Sequence, residues 1–71
     1  MKIRFHKDTT LYLISGYDEE TDTVTESGQE TFNAGEVHEV DIVSDNAGYC
    51  EIQFGDGSVA YNVPRSSFEI M

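Results

Sequence analysis

Cys50 and His38 are the one nucleophile–base combination in this chain that could sit on neighbouring strands. Covalent catalysis needs such a pair within hydrogen-bond reach, with a third group orienting the base. Cys50, however, falls in Tyr49-Cys50-Glu51-Ile52-Gln53-Phe54, in phase with Ile52 and Phe54. A cysteine on an apolar face behaves as a small, inert hydrophobe. His6 shares the polar side of the first apolar–polar alternation and reads as a surface residue. The expectation is a protein that is not an enzyme and uses no cofactor.

The acids invite a metal reading. A calcium loop spaces its oxygen ligands at alternate positions, with a glycine at the bend and a distal glutamate. Asp18-Glu19-Glu20-Thr21-Asp22 has neither that spacing nor the glycine, and Asp41, Asp45 and Asn46 straddle a turn without forming a regular set. A solvated acidic loop and no metal site is the expectation. Gly55-Asp56-Gly57 does not suit phosphate either. Phosphate loops lead into a helix N-terminus, whereas this triplet carries an anion and lies between two strand-like runs. It reads as a hairpin turn, with Gly57 at positive φ.

Binding chemistry is better represented. Tyr17 and Tyr49 stand at or beside turns, and an exposed tyrosine ringed by carboxylates suits a basic or proline-bearing partner. The candidate contact residues are therefore Tyr17, Asp18, Glu19, Glu20, Asp22 and Tyr49. An alternative, that these tyrosines only cover the edge of the fold, stays open. Tyr61 falls in phase with Val59 and Val63 and is expected in the core.

Charge narrows the range of partners. Fourteen acids oppose four lysines and arginines, a formal net charge of −10, and between Asp8 and Pro64 there are thirteen acids with no lysine or arginine. Such a body repels nucleic-acid phosphate and anionic lipid, so direct nucleic-acid or membrane binding is not expected, whereas a basic protein surface is attracted. Solubility is the other service that high net charge performs. Lys2, Arg4, Lys7 and Arg65 lie near the two ends of the chain and form one patch if the termini meet. With a single cysteine there is no internal disulfide. The start of the chain lacks the apolar run of a secretory signal, and no segment is long enough to span a bilayer. A cytoplasmic location is expected.

Seventy-one residues suffice for one domain. Short runs of Thr, Val, Ile, Tyr and Phe, punctuated by Gly, Asn and Asp, predict strands throughout and no stable amphipathic helix. Ile3 and Phe5 alternate with polar neighbours. Thr10-Leu11-Tyr12-Leu13-Ile14 reads as a strand covered on both faces, and Thr23-Val24-Thr25-Glu26 as its hairpin partner. Ser15 to Asp22 reads as a polar turn and Ser27-Gly28-Gln29-Glu30 as a further break. Glu36 to Val43 predicts a strand with Val40 and Ile42 inward. Residues 49–54 and 58–63 form two arms around the glycine turn, Pro64 ends the ladder, and Phe68-Glu69-Ile70 closes the fold after a single turn at Pro64-Arg65-Ser66-Ser67.

The order of these segments resembles an SH3-like barrel. Thr31-Phe32-Asn33-Ala34-Gly35-Glu36-Val37-His38-Glu39-Val40 is similar to the stretch after the family's long first loop. Val63-Pro64-Arg65-Ser66-Ser67-Phe68-Glu69-Ile70 is similar to its ending, an apolar–proline step, a 3₁₀ turn and a last strand. The resemblance covers residues 31–70 and implies an all-β, five- to six-stranded small barrel over residues 1–71, with a long acidic first loop or hairpin. It also implies a groove, with Tyr49 where the family has a tryptophan and Ser67 where it has a tyrosine. Proline-rich peptide recognition is weakened by those two replacements, while the loop acids for a basic ligand residue are present.

Together these observations predict a non-catalytic protein-interaction module or assembly accessory whose partner has a basic surface. Its size suits a short stand-alone gene of a bacterium or its phage. The alternative is an acidic nucleic-acid mimic that inhibits a basic DNA- or RNA-binding protein.

Overall fold

The computed structural model describes all residues, Met1–Met71. The β-rich composition produces seven strands: β1 (Lys2–Phe5), β2 (Thr9–Asp18), β3 (Thr23–Phe32), β4 (Val37–Asn46), β5 (Tyr49–Phe54), β6 (Val59–Pro64) and β7 (Phe68–Ile70). A 3₁₀ turn, Arg65–Ser67, joins the last two. All pair antiparallel in one sheet of order β3-β2-β6-β5-β4-β1-β7. The expected all-β class holds, and so does the turn–strand ending. The strand count and the closure differ from expectation: there are seven strands, and β3 and β7 are free edges of a sheet that does not close.

In the first third of the chain the two strands are longer than expected and their register differs: Thr23–Glu26, expected against residues 10–14, pairs with Gly16–Asp18 instead. Ser15–Asp18 and Ser27–Glu30, read as turns from their polarity, are laddered to the opposite arm from Thr9↔Phe32 to Asp18↔Thr23. Only Glu19–Asp22 is left as the hairpin turn. Hydroxyl pairs across the strands support the ladder, with Thr10 and Thr31 2.9 Å apart and the Tyr12 hydroxyl 2.6 Å from that of Ser27. A strand exposed on both faces carries no apolar alternation, so its polarity resembled that of a loop. β2 is covered on one face only, so Leu11 is buried while Tyr12, expected to be covered, is exposed.

Ile3, Phe5, Leu11, Phe32, Val40, Cys50, Ile52, Phe54, Ala60, Val63 and Phe68 form the core, with Leu13 and Ile42 packed at its margin. Phe32 stacks on Phe5 and on Phe54, at ring separations of 5.0 and 5.1 Å. Such contacts add specific geometry to the burial of large rings, and here they tie the end of the β2–β3 hairpin to the body of the sheet.

Tyr61 departs from the core position expected for it. Cys50 pairs with Val63 and Ile52 with Ala60, so Tyr61 and Asn62 together oppose Glu51. Asn62 takes a left-handed φ of 57°. The resulting bulge shifts the phase of β6, so that Ala60 and Val63 face inward and Tyr61 faces solvent. A second irregularity, between Ile42↔Ile52 and Ser44↔Glu51, leaves Val43 unpaired and exposed. Glu51 thus lies opposite a bulge on each side, and bulges bend a sheet and sharpen its twist.

The termini meet. Ile3 pairs with Ile70 and Phe5 with Phe68, and the amide of Met71 donates to the Lys2 carbonyl at 2.9 Å. Lys2, Arg4, Lys7 and Arg65 accordingly lie on or beside the β1–β7 pair. Arg4 reaches Glu69 at 3.5 Å, and Arg65 lies over the Phe68 ring while donating to the Phe68 carbonyl. No helix is long and apolar enough to cross a membrane.

Candidate protein-interaction surface

Five of the six expected contact residues share one place. Tyr17 and Asp18 end β2, and Glu19, Glu20 and Asp22 form the turn that leads to β3. The Asp18 carboxylate accepts the amide of Glu20 at 2.9 Å, the Thr23 hydroxyl donates to the Thr21 carbonyl, and Asp22 holds φ 55°. The tip is therefore a structured turn that projects four carboxylates.

A surface groove of about 410 Å³ is lined by Ile14, Tyr17, Val24, Val59 and Tyr61, together with Gly57. Tyr17, Val24 and Tyr61 are exposed by 52, 42 and 50 %, enough apolar surface in one place to constitute a contact patch. Tyr17 stands out in the sequence as a contact residue, whereas Val24 and Tyr61 do not. Tyr61 was hidden by the bulge at Asn62, and Val24 gave no signal beyond being one apolar residue in a polar arm.

Tyr49, the sixth residue, is exposed at the opposite end of β5 from the Gly55–Gly57 turn that borders the groove. It pairs with Pro64 beside the Ala47–Gly48 turn. The fold does not bring it to the acidic tip. Ser67 forms no groove wall: it is fully buried, and its hydroxyl donates to the Pro64 carbonyl at 2.6 Å.

The opposite face of the hairpin carries a second depression, of about 370 Å³. There Glu26, Gly28 and Glu30 of β3 and Leu13 of β2 face Asp56 and Ser58 of the β5–β6 turn. It adjoins a smaller cleft that reaches Phe32, His38 and Glu39. No lysine or arginine lines either. Asp56 is fixed by Ser58, whose amide and hydroxyl donate to Oδ1 at 3.0 and 2.6 Å. Those bonds hold its carboxyl below the usual range, the hydroxyl having the greater effect. Glu26 and Glu30 recur with period two on β3, a signal available only once Ser27–Glu30 is recognised as strand.

His38 and Cys50 do lie on adjacent strands but at opposite ends of them. Cys50 is level with Asp45, seven residues along β4 from His38, a separation on the order of 20 Å at strand rise. Burial, foremost, pushes the Cys50 thiol above its usual pKa, which suits a packing role. His38 lies edge-on to Phe5, Phe32 and Phe54 and meets Glu36 at 3.1 Å. Glu36 also accepts the Asn33 amide, and that bond, followed by the one to His38, holds its carboxyl below the usual range. The group fastens the loop between β3 and β4. No set of three or more His, Cys, Asp or Glu side chains is placed to hold a metal ion.

Compared with known protein families, with curated proteins and with solved structures, the chain has no match.

Proposed function

We propose that the chain is a non-catalytic interaction module, an SH3-like arrangement in which the long first hairpin forms the contact surface for a protein with a basic face. One observation carries this reading: the apolar groove of Ile14, Tyr17, Val24, Val59 and Tyr61 includes the two residues, Tyr17 and Val24, that flank the Asp18–Asp22 turn with its four carboxylates. Apolar and aromatic side chains supply contact area at an interface, and a charged rim supplies steering and discrimination. The cations of the chain lie on the β1–β7 edge, at the other end of the strand order, so they leave the tip's field unopposed.

The test is affinity capture from the source organism's lysate with the wild type, Tyr17→Ser and a variant with Asp18, Glu19, Glu20 and Asp22 amidated. A partner held by the wild type should be lost with Tyr17→Ser and weakened by the amidated tip and by salt. A partner retained by both variants would overturn the reading. Displacement of the partner by duplex DNA would instead favour the alternative, an acidic mimic that occupies a nucleic-acid-binding protein's basic groove.

A further inference from the structure

We propose that the outer edge of β3 accepts an extended cationic segment of a partner protein as an eighth strand, with lysine or arginine side chains entering the trough beside Glu26 and Glu30. The inference rests on the reading of this chain as a binder of a basic protein and specifies how that protein is held.

β3 is one end of the strand order, laddered to β2 alone, and only Phe32 of its ten residues is buried. None of the nine backbone hydrogen bonds outside the regular ladders involves Thr23–Thr31. Alternate amides and carbonyls along this edge therefore face outward without a protein partner, which is the template for strand addition. Ten residues exceed the usual strand length of about five or six, so a short segment finds a full complement of backbone partners.

Side chains decide which segment pairs. Glu26, Gly28 and Glu30 share the inner face, with the two carboxylates four residues, about 13 Å, apart. Gly28 lies between them, and a Cβ built there would meet nothing within 4 Å, so the centre of the trough is open above Leu13. A paired strand places its own alternate side chains on the same face. The pattern that fits is a cation at i, a large apolar residue at i+2 and a cation at i+4, with Asp56 adding a third carboxylate across the trough.

A second copy of this chain is the occupant that the charges reject. Its β3 would set Glu26 and Glu30 against their own kind, and like charges directly opposite are destabilising. Its other free edge, β7, offers three residues with Glu69 at the centre. Each copy also carries a net charge of −10. Acidic residues on an exposed edge thus guard against self-pairing while admitting a cationic strand.

The probe is a capped synthetic peptide, Thr-Lys-Thr-Leu-Thr-Lys-Thr, titrated against the intact protein in low salt. Binding should slow amide hydrogen exchange at alternate residues of Thr23–Thr31, and the peptide with glutamate in place of lysine should not bind. N-methylation of the peptide separates strand pairing from surface adhesion. Methylating one alternate set of amides should weaken binding roughly tenfold or more, while methylating the other set should leave it nearly unchanged. The double variant Glu26→Gln/Glu30→Gln, with both side chains exposed and outside the core, should weaken binding by about tenfold. Equal tolerance of the two methylation patterns, protection confined to Tyr17–Asp22 and Tyr61, or no binding at millimolar peptide would each overturn edge pairing. Capture of the natural partner through Tyr17 would survive those results. Loss of that capture alongside intact peptide pairing would overturn the groove reading alone.

Discussion

Gly16 packs so closely against Thr25 that a Cβ on Gly16 would lie 2.6 Å from the threonine hydroxyl and 3.0 Å from the Glu26 Cβ. The contact falls where β2 and β3 each carry an irregularity, between Ile14↔Ser27 and Tyr17↔Val24. Glycine is the residue that leaves room for a neighbouring strand's side chains to approach in this way. Gly16 therefore sets the path of the hairpin that carries both the groove and the free edge.

Gly16→Ala should lower stability by ~1–3 kcal/mol, the usual range for overpacking, and disturb Tyr17 more than Tyr49. Chemical denaturation with NMR shifts for the two tyrosines measures both. Thr25→Ala in the same chain should restore part of the loss, because it removes the nearest clashing atom. Full tolerance of Gly16→Ala would show that the arms separate freely.

Two turns offer opposite tests. Gly57 holds φ 91°, with its amide donating to the Phe54 carbonyl and the Phe54 amide to that of Ser58, so Gly57→Val should destabilise by more than ~1 kcal/mol through backbone strain alone. Ala47 holds φ 55° ahead of Gly48 at 85°. Two successive left-handed residues make the hairpin turn that prefers Asn-Gly, and an alanine there is strained by ~1–2 kcal/mol. Ala47→Asn should raise the unfolding midpoint, corresponding to about 0.5–1 kcal/mol.

These two turns also show what the chain discloses about itself. Gly55-Asp56-Gly57 was legible because glycine at a left-handed position leaves a compositional mark, and Cys50, Ile52 and Phe54 were legible because one buried face enforces alternation. Of the edge strand β3 only Thr23–Glu26 was legible; Ser27–Glu30 was not, since neither face is buried there and nothing selects apolar residues along it. Tyr61 misled for another reason: the bulge at Asn62 changes phase within six residues, and asparagine in β6 looks like any outward polar residue. The candidate site was half legible. Acids and Tyr17 stand together in the chain, whereas Val24, Val59 and Tyr61 join them only through pairing.

Asp56 gives a prediction in acid. Its carboxyl is held below the usual range by the Ser58 hydroxyl and amide. A depressed folded pKa contributes stability above the unfolded value, near 4, and that contribution disappears as pH falls through the folded value. Asp56→Asn keeps an oxygen that can accept the Ser58 bonds but cannot ionise. The stability difference between wild type and Asp56→Asn should therefore shrink as pH drops from 6 to below the usual carboxylate range, measured by melting both proteins across that interval. A constant difference would mean that the Ser58 bonds do not favour the ionised form.

Salt tests the physics of the whole body. Asp18, Glu19, Glu20, Asp22, Glu26 and Glu30 crowd one hairpin without a lysine or arginine. The ion pairs elsewhere are few: the Met1 amino group with Glu39 at 3.3 Å and Arg4 with Glu69 at 3.5 Å. Exposed pairs of this kind contribute little, whereas compaction brings carboxylates together that the expanded chain keeps apart. Raising sodium chloride from about 0.01 M to about 0.15 M shortens the Debye length from ~30 to ~8 Å, which screens repulsion across the hairpin and its neighbours. The melting temperature should therefore rise, on the order of 4 °C if the relief is about 1 kcal/mol at this size. Amidating the four tip acids should raise it at low salt and flatten its salt dependence. A midpoint that falls with salt would show that the two ion pairs made by Met1 and Arg4 outweigh the repulsion of the hairpin.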